Sequence, residues 1–113
     1  MSYYYQKSLS DTSFEKAIEK VTASLKEEGF GVLTEINIQS TLKKKIDVDF
    51  YPYTILGACH PAFAHKALQA EDKIGAMLPC NVIVQQKDDN IEIAAVDPVA
   101  SMQAVENEDL GEI

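Results

Sequence analysis

Three side chains in this sequence have the types and the spacing to do chemistry together: Cys59, His60 and Cys80. Cys59-His60 stands directly before Pro61, and Cys80 directly after Pro79. Proline is favoured in the first turn of a helix, so a helix is expected to open at Pro61. A thiol at such an opening is favoured as a thiolate by exposed amide groups and the helix dipole. Two thiols and an imidazole form a donor set for a soft metal ion, zinc or copper(I). Structural zinc takes four tetrahedral ligands and the chain has no CxxC pair, so the fourth ligand would be water, His65 or a group from a partner chain. His65 falls away from the apolar stripe of Phe63 and Ala67 and reads as a surface histidine. The same trio also suits thiol chemistry, which needs a base oriented by a third group. Local spacing supplies none; only Asp72 and Asp97 are candidates, through the fold, and Asp97 already reads as a helix cap. The plainest reading makes Cys59 and Cys80 small buried hydrophobes, where free cysteine is usually found. Gly57 and Gly75 belong to no phosphate-binding loop.

The elements that must position these residues follow from periodicity. Residues 2–8, with Tyr3, Tyr4 and Tyr5, carry no breaker and predict an opening strand. Thr12-Ser13-Phe14-Glu15 has the spacing of a capping box, and Phe14, Ile18, Val21 and Leu25 then recur every three or four residues, predicting a helix with one face buried on a sheet. Gly29 closes it. Residues 30–36 predict a second strand, residues 37–46 a short helix with Ile38, Leu42 and Ile46 on one side, and residues 51–59 a third strand with Pro52 confined to its start. The helix from Pro61 carries Phe63, Ala64, Ala67 and Leu68. Pro79 blocks continuation, and residues 80–86 and 91–96 form a hairpin around Lys87-Asp88-Asp89-Asn90. Asp97-Pro98 predicts the cap and first turn of a last helix with Met102 and Val105 on one side, its acidic end frayed against the dipole.

The order is β-α-β-(α)-β-α-β-β-α. It predicts one α+β domain over residues 1–113, a curved, mainly antiparallel sheet with helices on one face. If the strands bearing Cys59 and Cys80 are antiparallel neighbours, their sulfurs should face the same way within roughly 10 Å, at a strand spacing of about 4.8 Å. His60 joins them only if the backbone turns into the helix there, because side chains alternate along a strand.

Composition narrows the function. The chain has 113 residues, 46% hydrophobic and 25% charged, an ordinary globular balance without low-complexity bias. Its formal charge is −8, and all ten basic residues are lysines. An acidic surface without arginine disfavours nucleic acid and anionic lipid. Lys43-Lys44-Lys45 reads as a solvated helix face. No apolar run reaches the roughly 18 residues of a membrane span and the first residues lack a signal peptide's pattern, so a cytoplasmic location is expected. Two cysteines there are expected to be free thiols. Three adjacent tyrosines cannot all enter one core, so at least one should be exposed or pack against a second subunit, and a homodimer is expected.

The blocks Gly57-Ala58-Cys59-His60-Pro61, Ile74-Gly75, Leu78-Pro79-Cys80-Asn81-Val82, Glu28-Gly29-Phe30-Gly31-Val32 and Val96-Asp97-Pro98 resemble the bacterial and archaeal family called domain of unknown function 302. The resemblance covers nearly the whole chain. It implies a fold of the TATA-binding-protein class, without implying DNA binding, and brings no activity with it. The leading functional expectation is a non-enzymatic binding module that accepts a small-molecule ligand or soft metal at Cys59, His60 and Cys80. A thiol or sulfur-transfer enzyme and a structural interaction module without a site are the alternatives.

Overall fold

The computed structural model describes residues 3–97. Strand β1 (Tyr4–Leu9) is followed by helix α1 (Phe14–Glu27), β2 (Gly31–Asn37), α2 (Ile38–Ile46), β3 (Tyr53–Cys59), α3 (Pro61–Ala70), a 3-10 helix (Asp72–Met77), β4 (Cys80–Lys87) and β5 (Asn90–Val96). The strands form one sheet in the order β1-β5-β4-β3-β2, every neighbouring pair antiparallel. The fold is α+β with the helices on one face of the sheet, as the order of elements predicts. No described helix is long and apolar enough to cross a membrane. The last predicted helix, from Asp97-Pro98, lies outside the described residues.

Helix α1 begins one residue later in its cap than the capping-box spacing implies. Ser13, not Thr12, accepts the hydrogen bond from the Lys16 amide, at 3.2 Å, and is the N-cap. At the other end the Phe30 amide donates to the Leu25 carbonyl (2.8 Å) and the Gly29 amide to Lys26 (3.1 Å). That pair of bonds is a Schellman motif, which needs a left-handed residue; Gly29 supplies it with φ +87°. The motif folds Phe30 back beside Leu25, and this places an aromatic ring at the end of α1.

The core lies between α1 and the central strands. Leu56, Val84, Ile91, Val82 and Ala17 are buried together, and Phe14, Ile18, Val21 and Leu25 pack against them while staying partly exposed. The predicted apolar stripe of α1 therefore faces the sheet, but the one fully buried residue of the helix is Ala17, which the stripe of Phe14, Ile18, Val21 and Leu25 does not include. A small residue there lets the helix backbone approach the strands, so the larger residues flank the contact instead of filling it.

Side chains alternate along β3, with Thr54, Leu56 and Ala58 buried under the helices. Gly57, between them, is required by close approach from two sides. A Cβ there would meet the Thr34 hydroxyl and lie 2.8 Å from Pro79 Cγ.

Candidate functional site

Strands β3 and β4 are joined by α3 and the 3-10 helix, which leave the sheet at Cys59 and return at Cys80. Antiparallel pairing sets Ala58 directly opposite Cys80, so Cys59 and Cys80 stand at the same end of adjacent strands. The ladder offsets them by one residue. Cys80 shares the helix-covered face with its partner Ala58, and Cys59 leaves a regular strand on the other face, which corrects the expectation that the two thiols point the same way. The chain turns into α3 immediately afterwards, and both residues border one cleft. Both thiols are free and half-buried.

His60 occupies the turn, as the N-cap residue of α3, and makes no side-chain cap bond. Its ring stacks on Phe63 with centroids 4.2 Å apart and meets Phe30 edge to face at 5.4 Å. Its third side rests on Gly29, where an added Cβ would lie 2.8 Å from Nε2. The Schellman turn thus makes the seat for the imidazole: Phe30 supplies a wall and Gly29 the bare backbone. His60 Nδ1 is buried and has no hydrogen-bond partner among the described residues.

The cleft has a volume of about 390 Å³, within the usual range of small-molecule sites. Leu25 and Phe30 bound it on the α1 side, and His60, Phe63, Ala64 and Ala67 on the α3 side. Along the strands its lining includes Ala58, Cys59, Leu78, Cys80, Asn81, Val82, Ala95 and Val96. Nearly all of this surface is hydrocarbon. The sequence reading missed Leu25, Phe30 and Ala64 as site residues. The signal was present in the stripe of Phe63, Ala64 and Ala67, which reads equally well as a core face, and in the Gly29-Phe30 step that ends α1.

The other candidates fall elsewhere. His65 is exposed, as its position off the stripe predicts. Asp72 is on the surface in an ion pair with Lys73 at 2.8 Å. The Asp97 amide donates to the Tyr3 carbonyl at 2.7 Å. Lys43 sits at the end of α2, paired with Asp47 (2.9 Å) and Asp49 (3.3 Å) on the surface, and those two carboxylates hold its ammonium pKa above the ordinary value. Among the described residues no three of His, Cys, Asp and Glu are grouped to hold a metal ion; Cys59, His60 and Cys80 border one cleft. Burial, and after it the neighbouring Cys59, pushes the Cys80 thiol up from 9.0. A thiol raised in this way is protonated at neutral pH, which makes Cys80 a poor nucleophile and a hydrocarbon-like part of the wall.

Residues 5–113 match the family described as domain of unknown function DUF302. The chain belongs to the DUF302 family. A solved structure of an uncharacterised conserved DUF302 protein from Bacillus stearothermophilus is 30% identical to it, with a TM-score of 0.89, covering 99% of this chain and 87% of that one. No curated protein matches the chain. The family agrees with the resemblance carried by the blocks around Cys59 and Cys80, and it supports the fold while naming no activity.

Proposed function

We propose that this DUF302 protein is a non-enzymatic binding module whose cleft between α1, α3 and the β3-β4 edge accepts a small, uncharged, largely apolar molecule. The observation that carries this reading is the lining: hydrocarbon on nearly every side, interrupted by Cys59, Cys80, Asn81 and His60, whose Nδ1 is buried and unpartnered. Apolar walls supply affinity by releasing water, and one or two convergent polar atoms fix orientation. His60 Nδ1 is the atom able to do so, because every other side of that ring is taken by Phe63, Phe30 and Gly29. The protonated state of Cys80 supports binding over thiol chemistry, and the ungrouped donor set supports an organic ligand over a metal ion.

The test is a titration with the neutral dye Nile red, followed by its fluorescence, on the full chain and on Ala64→Trp. Ala64 is half-buried on the α3 wall, where an indole would occupy the space. The reading predicts saturable binding by the wild-type chain and at least tenfold weaker binding by Ala64→Trp at unchanged helicity. Absence of saturable binding, or equal binding by a folded Ala64→Trp, would overturn it. Should that variant not fold, Phe63→Ala, at an exposed position that removes one wall, gives the same comparison.

A further inference from the structure

The helices cover one face of the sheet and leave the other open. The register defines what that open face presents. One row runs Ile36, Ile55, Ile83, Ala94 and Gln6 across all five strands. A second runs Tyr53, Gln85, Glu92 and Ser8, and a third places Thr34, Gly57 and Asn81 side by side, with Tyr4 opposite Val96 on the outer strands. Ile36 is 44% exposed and Tyr4 39%, and Tyr3, Tyr53 and Met77 border a groove of about 610 Å³ on this side.

The distribution of charge says what fits there. One residue in four of the chain is charged and the net charge is −8, so rows of this length would ordinarily carry several charges. The three rows carry Glu92 alone, and its carboxylate accepts a hydrogen bond from Gln85 Nε2 at 3.0 Å; the one further charge bordering the groove is Lys87, at the end of β4. Two copies of a chain this acidic repel one another through most faces, and associate only where charge is absent. The open face is such a surface. It is depleted of charge and supplied with tyrosine and aliphatic side chains, the composition of an interface core. It is also self-complementary, since a row of apolar groups flanked by mostly uncharged polar ones can meet its own image about a two-fold axis. Five strands about 4.8 Å apart and six residues long at about 3.4 Å each present roughly 500 Å² per copy, before side-chain relief is counted. Two such faces give roughly 1,000 Å², the lower bound for a specific interface.

We propose that the open face of the sheet is a homodimer interface in which two copies pack sheet against sheet. This proposal is independent of the cleft, which lies on the helix-covered face. Asn81 is one residue to change, because it is exposed on the middle strand β4 near its start; since it also borders the cleft, Ile36, which lies away from the cleft, is the second. Sedimentation of the full chain between about 1 and 500 µM should show a concentration-dependent dimer. Asn81→Glu and Asn81→Lys should each raise its dissociation constant at least tenfold at unchanged circular dichroism, since either charge would be buried against its own copy. Ile36→Glu, at an exposed edge position, should do the same. A monomer across the whole range overturns the proposal. So does a dimer indifferent to all three variants, and so does dissociation by Glu variants alone, which would reflect net charge and not burial at this face.

Discussion

Substituting Gly29 by alanine perturbs two things at once, and a thermodynamic cycle separates them. The residue has φ +87°, where an L side chain costs about 1–2 kcal/mol. The new Cβ would also stand 2.8 Å from His60 Nε2 and 3.0 Å from Cδ2, closer than van der Waals contact allows. Relieving that contact moves the imidazole off its stack on Phe63, and overpacking of this kind costs about 1–3 kcal/mol. Gly29→Ala should therefore destabilise the wild-type chain by about 2–5 kcal/mol, the sum of the two. In the His60→Ala background the ring is gone, only the backbone cost remains, and the same substitution should cost about 1–2 kcal/mol. Urea unfolding of the four proteins, followed by far-UV circular dichroism at one fixed protein concentration, gives the coupling directly. Equal costs in both backgrounds, within about 0.5 kcal/mol, would refute the seating of His60 on the end of α1 and with it the wall of the cleft.

Three further outcomes follow from the packing and the titrations. Ile18→Ala, on the partly exposed stripe of α1, should cost about 2 kcal/mol, the low end for a buried aliphatic truncation, and a change below about 0.5 kcal/mol would sink the contact between α1 and the sheet. Gly57→Ala should cost about 1–3 kcal/mol in urea unfolding, and adding Thr34→Ala should recover only part of it, because the Pro79 ring 2.8 Å from the new Cβ remains; full recovery would contradict the contact with Pro79. The raised Cys80 thiol adds no pH dependence while it is protonated in both states, and above the usual value of 9.0 the unfolded chain loses its proton first, so stability falls as pH rises through the folded value. Cys80→Ala should flatten that alkaline slope just above pH 9, leaving at higher pH the loss due to Tyr53, which burial raises from 10.0; an unchanged slope would contradict the burial of the thiol.

How far the sequence was legible depended on the range of the signal. The elements from β1 to β5 are written in local patterns: the three-and-four spacing of Phe14, Ile18, Val21 and Leu25, the proline at Pro61, the glycine at Gly29. The meeting of Cys59 and Cys80 followed from topology, because antiparallel neighbours joined by an excursion begin and end at the same side. Their one-residue offset did not, since register is set by the pairing of Ala58 with Cys80 and by the Pro79 contact on Gly57, which no local pattern records. The 3-10 helix at Asp72–Met77 read only as a returning segment, because runs so short carry little periodicity. The cleft itself was hidden for a further reason. Phe63, Ala64 and Ala67 have the same spacing whether a helix face meets a neighbour or borders a gap, and only the distance between α1 and α3 distinguishes the two.

The central claim is that the apolar cleft, and not the open face of the sheet, receives a small uncharged molecule. Intermolecular nuclear Overhauser effects between toluene and the methyl groups of the isotope-labelled chain test it most directly. Contacts to Ala64, Ala67, Leu78 and Val82, saturating with toluene concentration, are the predicted result. Contacts confined to Ile36, Ile55 and Ile83, or no saturable contacts anywhere, would contradict it.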